Sequence, residues 1–175
     1  VAILVKVTDG GTIIYKAPRM GKGGKIIKVY KFRSMCMNAD DIKKTLSKED
    51  LEKYEKEYKL EKDPRITKVG NILRKTSIDE LPQLFNVLQG NMSLVGPRPI
   101  LERESSLYGE NRELLFKVKP GITGLWQVSG RNNITYESGE RQALELKYIQ
   151  ERSIALDIKI LFLTVGAVFK MKGAM

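Results

Sequence analysis

In the stretch Thr76 to Asn86, TSIDELPQLFN, two adjacent carboxylates, Asp79 and Glu80, stand just ahead of Pro82. Proline is accommodated in the first turn of a helix, where its missing N–H has no partner to lose. A helix is therefore expected to begin close to Ser77 or Asp79. Ser77 with Glu80 matches a capping box, whereas Asp79 as the cap sets Pro82 comfortably in the first turn. In either register the acids lie at the positive end of a helix dipole, which favours their ionised forms and attracts phosphate. Acids at helix starts are common caps, so a chemical role depends on their company. Arg74 and Lys75 lie just upstream, Arg98 is held between Pro97 and Pro99, and Lys31, Arg33 and Arg131 occupy glycine-bordered segments. Paired acids amid bases can hold a metal-bound pyrophosphate, the acids taking Mg2+ and the bases the phosphate oxygens. Neighbouring helical residues point about 100° apart, so one acid could attack while the other holds the metal.

Composition removes the main alternatives. With 0 histidines and 1 cysteine, Cys36, the chain has no Ser-His-Asp or Cys-His triad, no His-bearing zinc site and no paired-cysteine redox motif. A formal charge of +10 calls for an anionic partner: phosphate, acidic lipid headgroups or nucleic acid. The bases are spread over a mixed-charge surface with no aromatic-interleaved basic stripe, which argues against nucleic acid. A length of 175 residues fits one domain, 1–175, with excursions.

The elements that must position these groups can be read from periodicity. VAILVKV at the start is either a buried strand or the exit of a membrane element. TIIYK and KIIKVYKF, punctuated by Gly10-Gly11 and Gly23-Gly24, predict a small basic β element, with Lys31 and Arg33 projecting from one face. Residues 38–63 read as two solvent-facing helices, with SKED at Ser47 as a capping box. Ile66, Val69, Ile72 and Leu73 follow a helical stripe, as do Leu81, Leu84, Phe85 and Leu88, which Gly90 ends. SLVGPRP predicts a short strand running into a rigid turn, and KPGITGLWQVSGRN a loop and strand around Trp126, which reads as packing more than as a stacking platform. A helix is expected from about Tyr136 to Glu151. The apolar stretch Ile160 to Phe169, flanked by Lys159 and Lys170, fits a helix in a membrane interface or a core helix. The fold class is α+β: a compact, mostly helical, membrane-associated domain with a small basic β element and a helical excursion.

Taken in order, YKFRSM, NADD, DPRITKVGNILRKTSIDELPQLFNVLQGNMSLVGPRP, KPGITGLWQVSGRN and LDIKIL resemble the bacterial sugar transferase family, the monotopic phosphoglycosyl transferases. The excursion at 38–63 is most like the undecaprenyl-phosphate galactose or glucose phosphotransferases. The resemblance implies transfer of a sugar-1-phosphate from a UDP-sugar to polyprenyl phosphate with release of UMP. It implies Asp79 as the nucleophile that forms a phosphosugar-enzyme and Glu80 as the Mg2+ residue. Arg98 would be a phosphate ligand, with Lys31, Arg33, Arg74 and Arg131 as further candidates. It also implies membrane lipids as partners, at the cytoplasmic face of the inner membrane. The apolar C-terminal stretch offers a contact surface for a homodimer. Departures from the family pattern are a short apolar N-terminal run, Arg152 and Ala155 in ERSIALD, and Glu145 where an Asp is common.

Overall fold

In the computed structural model, which describes residues 1–57, 60, 62–130, 134 and 136–169, the chain opens with a helix, α1 (Ala2–Asp9). The strand reading of VAILVKV is corrected here. So short an apolar run carries no decisive period, and Gly10, at φ 73, closes the helix by donating its N–H to the Lys6 carbonyl at 2.9 Å. Val5 is buried, while Ile3, Leu4 and Val7 face outward.

Strands β1 (Ile14–Met20) and β2 (Ile26–Phe32) form the expected basic hairpin, antiparallel, with Ile14 opposite Phe32 and Met20 opposite Ile26. The excursion contains two short helices, α2 (Ala39–Lys44) and α3 (Lys48–Glu57). Ser47 caps the second: its Oγ accepts the Asp50 N–H at 3.1 Å and donates to the Asp50 carboxylate at 2.9 Å.

Helix α4 (Lys68–Lys75) starts at Thr67, whose hydroxyl accepts the Gly70 N–H. Gly70 lets this helix lie directly on the chain after β2, since a Cβ there would stand 1.9 Å from the Ser34 carbonyl oxygen. Beyond α4 the acids take a different local form from the one expected. They sit on a single 3₁₀ turn, Ile78–Glu80, and α5 (Gln83–Leu88) begins only after Pro82, which serves as its N-cap residue. Ser77 adopts a left-handed conformation, φ 56, and makes no side-chain cap bond, so neither expected register forms. The stripe of α5 is also turned outward. Leu81, Leu84, Phe85 and Leu88 are exposed, and its buried residues are the polar Gln83 and Asn86.

Asn86 accounts for this inversion. Its side-chain amide accepts the Tyr30 N–H at 2.9 Å and donates to the Lys28 carbonyl at 2.7 Å, so it serves β2 as a neighbouring strand would. Its own carbonyl accepts the Asn91 and Met92 N–H groups, which bends the chain sharply after α5.

Strands β3 (Ser93–Val95) and β4 (Gly121–Thr123) pair in parallel. They meet at glycines because a Cβ on Gly121 would lie 2.1 Å from the Gly96 nitrogen. Between them run a 3₁₀ segment, Glu102–Asn111, and α6 (Arg112–Leu115). Trp126, expected on a strand or loop, lies on a short helix, α7 (Leu125–Gly130). Helices α8 (Glu140–Glu151) and α9 (Ile154–Phe169) complete the described chain. The main core joins Val95, Ile100, Tyr108, Leu115, Tyr148 and Ile160, and a smaller one under the hairpin joins Ala17, Val29 and Met92. Helix α9 contributes to the core through the fully buried Ile160, whereas Ile158, Phe162 and Val165 face outward. No described helix is long and apolar enough to cross a membrane.

The Asn86 bridge generates a stability prediction. Asn86→Asp keeps the shape but replaces the donor to Lys28 with a carboxylate oxygen, at a cost of about 2 kcal/mol or more at pH 7. Urea unfolding at pH 7 and pH 4 measures it. The deficit shrinks at the lower pH, where a protonated Asp can donate again; equal stability of variant and parent at pH 7 contradicts the bridging role.

Candidate functional site

The 3₁₀ turn carrying the acids opens on a cavity of about 1040 Å³ that Lys31, Arg74, Asp79, Glu80 and Arg98 all line. Three long-range ties bring these residues together. Lys31, at the end of β2, donates to Glu80 Oε1 at 2.8 Å. Arg74, at the end of α4, donates from Nε to Ser34 Oγ at 2.8 Å. The Arg98 backbone N–H, within the proline-flanked turn, donates to Glu145 Oε1 at 3.3 Å.

The electrostatics differ from those of a helix cap. Asp79 is only 7% exposed. Burial raises its pKa to about 6, against the lowering effect of Lys31 and with a further rise from Glu80. The expectation that a helix dipole would favour ionisation is corrected accordingly, since desolvation outweighs a dipole whose helix starts three residues beyond Glu80. Burial lowers the Arg74 pKa, in the direction opposite to the pull of Asp79. Burial also opposes the charge of Arg98, but Tyr136, Glu80, Glu104 and Glu145 together raise its pKa. For Arg19, another base of the cavity, burial and the Arg98 charge lower the pKa. Several cations thus share one hollow, an arrangement that a bound polyanion would relieve.

Arg33 lines the same cavity, but its guanidinium is engaged elsewhere. It pairs with both oxygens of Asp9 and donates to the Thr12 and Met35 carbonyls, which fastens α1 to the end of β2. That hydrogen bonding lowers the Asp9 pKa. Lys31 and Arg33 therefore serve different neighbours, although they are two residues apart. Arg131 lies outside the described residues. Sequence reasoning passed over Arg19, Arg65 and Arg141, which also line the cavity. For Arg65 the available signal was its place in DPR, where Asp63 holds the guanidinium at 2.8 and 2.6 Å. For Arg141 it was the i,i+4 spacing to Glu145, an ion-pair distance on a helix.

A second, smaller cavity of about 210 Å³ adjoins the first. Leu81, Leu84, Ile122, Val128 and Val168 line it, and it shares Ser77 and Glu80 with the basic one. Glu80 therefore lies between a basic hollow and an apolar one, and Asp79 lines the basic one.

By fold and site, this is a small α+β domain whose acid pair faces a cavity lined by several bases. The chain belongs to the bacterial sugar transferase family, whose model matches residues 1–171. It is 49% identical over 173 residues to the undecaprenyl-phosphate galactose phosphotransferase of Salmonella typhimurium, covering 97% of this chain and 36% of that protein. With the UDP-glucose:undecaprenyl-phosphate glucose-1-phosphate transferase of Escherichia coli it shares 44% identity over 180 residues, 99% of this chain and 36% of the relative. The exopolysaccharide production protein ExoY of Rhizobium meliloti is 42% identical over 174 residues, 98% of this chain and 76% of the relative. The chain thus spans little more than a third of the length of the first two.

The raised pKa of Asp79 has a consequence for stability. With a folded pKa of about 6 against 3.8 for an ordinary aspartate carboxyl, its contribution is complete below about pH 4 and is lost as pH rises through 6. Asp79→Asn should therefore gain on the parent by up to about 3 kcal/mol between pH 4 and pH 8. Chemical unfolding at the two pH values tests this; a difference independent of pH would show that Asp79 is ionised without penalty.

Proposed function

We propose that this chain is the catalytic domain of an enzyme that transfers a sugar-1-phosphate from a UDP-sugar to polyprenyl phosphate, of the undecaprenyl type, and releases UMP. Such a reaction would begin surface glycan assembly on a lipid carrier. The observation that carries the reading is the position of Glu80 at the junction of a basic cavity and an apolar one, with Asp79 next to it on the wall of the basic cavity. A nucleotide sugar brings a diphosphate, and a lipid phosphate brings an apolar chain. The two hollows suit these two substrates.

In the first displacement the Asp79 carboxylate attacks the β-phosphorus. The new carboxylate–phosphorus bond forms as the bond from phosphorus to the bridging oxygen breaks, and UMP departs with the electron pair. In the second, an oxygen of the lipid phosphate attacks the same phosphorus and returns Asp79 as a carboxylate. The acceptor is already ionised at neutral pH, so no general base is needed in a chain with 0 histidines. Arg74 and Arg98 would hold the phosphate oxygens, while Lys31 keeps Glu80 oriented beside the nucleophile.

The residues present fit Mg2+. Among the described residues no group of three or more His, Cys, Asp or Glu forms a protein cage, and Mg2+ is commonly held by one or two carboxylates with substrate phosphates and water completing its shell. Glu80, with Asp79 beside it, would hold the ion, which when bound would offset negative charge on the leaving nucleotide. The outward apolar residues of α1, α5 and α9 support a seat on the cytoplasmic face of the inner membrane, with its lipids as partners.

Asp79→Asn is expected to abolish UMP release and the sugar-phosphate adduct seen by intact-protein mass after incubation with a UDP-sugar. Retention of wild-type turnover would overturn the assignment, and UDP in place of UMP would favour transfer of the sugar alone. The pH profile of kcat/KM should rise through about 6, the value to which burial brings Asp79. Because Lys31 is the cation that most lowers that pKa, Lys31→Met should move the limb to higher pH. A limb unmoved by the change would separate Lys31 from the nucleophile.

A further inference from the structure

Arg141 differs from the other bases of the cavity in how its charge is held. It is 7% exposed and lines the cavity from α8. Its guanidinium carbon lies 3.8 Å from the Tyr136 ring centroid and 4.1 Å from that of Trp126. Glu145, one turn further along α8, comes within 3.8 Å of Nε, an ion-pair distance too long for a hydrogen bond. Nε and Nη2 are buried and have no hydrogen-bond partner among the described residues. A guanidinium carries five N–H donors, and buried donors left without acceptors are costly.

A purely structural role, neutralising Glu145, accounts for this poorly. The Glu145 carboxylate takes its hydrogen bonds from the Tyr108 hydroxyl and the Arg98 backbone, and none from Arg141. Arg98 also lies by Trp126, with its guanidinium carbon 5.8 Å from the ring centroid. Two guanidiniums thus share one indole, and Glu145 couples the backbone of one to the charge of the other. Flanking aromatic rings set the plane of Arg141, as bidentate recognition of a phosphoryl group requires.

We propose that Arg141 is a phosphate ligand of the cavity, working with Arg98 beside Trp126 to bind a phosphoryl anion. The assignment rests on the reading of the cavity as a nucleotide-sugar site and deepens it. Both the donor diphosphate and the acceptor monophosphate offer the required chemistry, and the test separates them.

Trp126 is the chain's only tryptophan, so its emission reports on the site directly. The parent, Arg141→Gln and Arg141→Lys are titrated with inorganic pyrophosphate, UDP and farnesyl phosphate, and thermal melts are recorded for each. The parent should show saturable changes. Arg141→Gln should weaken binding by roughly ten-fold or more, and Arg141→Lys, which keeps the charge without the planar fork, should fall between. Weakening with pyrophosphate and UDP assigns the donor, and weakening with farnesyl phosphate alone assigns the acceptor. Unchanged affinity for all three in folded Arg141→Gln overturns the proposal; if that variant does not fold, unchanged affinity in Arg141→Lys overturns it. Should UMP release fail while pyrophosphate binding still depends on Arg141, the reaction falls and the phosphate site stands.

Discussion

The side-chain amide of Asn86 is the interaction on which the site depends. Strand β2 has β1 on one edge, and at Tyr30 and Lys28 its other edge presents an N–H and a C=O that β1 does not reach. Asn86 meets both. The position after Tyr30 is Lys31, which pairs with Glu80, and Glu80 lies two residues before Pro82 and α5. Hairpin, acid pair and helix are therefore fixed to one another within a few residues on each side. Satisfying β2 with a helix side chain also requires α5 to turn its polar face inward, which leaves Leu84, Phe85 and Leu88 outside. An apolar outer surface is thus a by-product of the same bridge that orders the acids.

The remaining anchors are likewise polar contacts between segments far apart in sequence. Ser34 supports α4 twice: its carbonyl accepts the Thr67 N–H at 3.1 Å, and its hydroxyl accepts from Arg74 at 2.8 Å. The close approach of Gly70 makes both possible. Glu145 does the same for the proline-flanked turn, accepting the Arg98 N–H from a fully buried position on α8. Burying so many charges has a desolvation cost that ion pairs only partly offset. The pKa directions show where that cost falls: up for Asp79, down for Arg19 and Arg74. Such a hollow is pre-organised for an anion, because its dipoles and charges are in position before any ligand arrives.

Local signals were legible in the chain, and partners distant in sequence were not. The hairpin followed from glycine-punctuated alternation, the excursion from charge-rich helical spacing, and the acid pair from its proline and neighbouring bases. Several readings fell short of the structure for identifiable reasons. VAILVKV was too short for its period to decide between strand and helix. The α5 stripe was correctly periodic, but periodicity does not say which face is inward when a buried amide has a sheet edge to satisfy. Lys31 and Arg33 share a strand parity and line one cavity, yet Phe32 ends β2 and the Arg33 guanidinium meets Asp9, 24 residues away. No spacing rule in the sequence encodes that contact. Asp79 and Glu80 stand near the expected bases Lys31, Arg74 and Arg98 but on a 3₁₀ turn after a left-handed Ser77, not at the start of a regular helix.

That turn explains how two adjacent acids can differ. On the 3₁₀ turn one is buried and the other meets a lysine, so Asp79 is held near 6 while Glu80 is paired. A carboxylate with a raised pKa is a better nucleophile toward phosphorus than an ordinary one and is still largely ionised at neutral pH. Its neighbour, oriented by Lys31, is the one proposed to hold a cation. The division of labour proposed for the acids would therefore originate in backbone geometry, which the Asn86 bridge and the Lys31 pair keep in place.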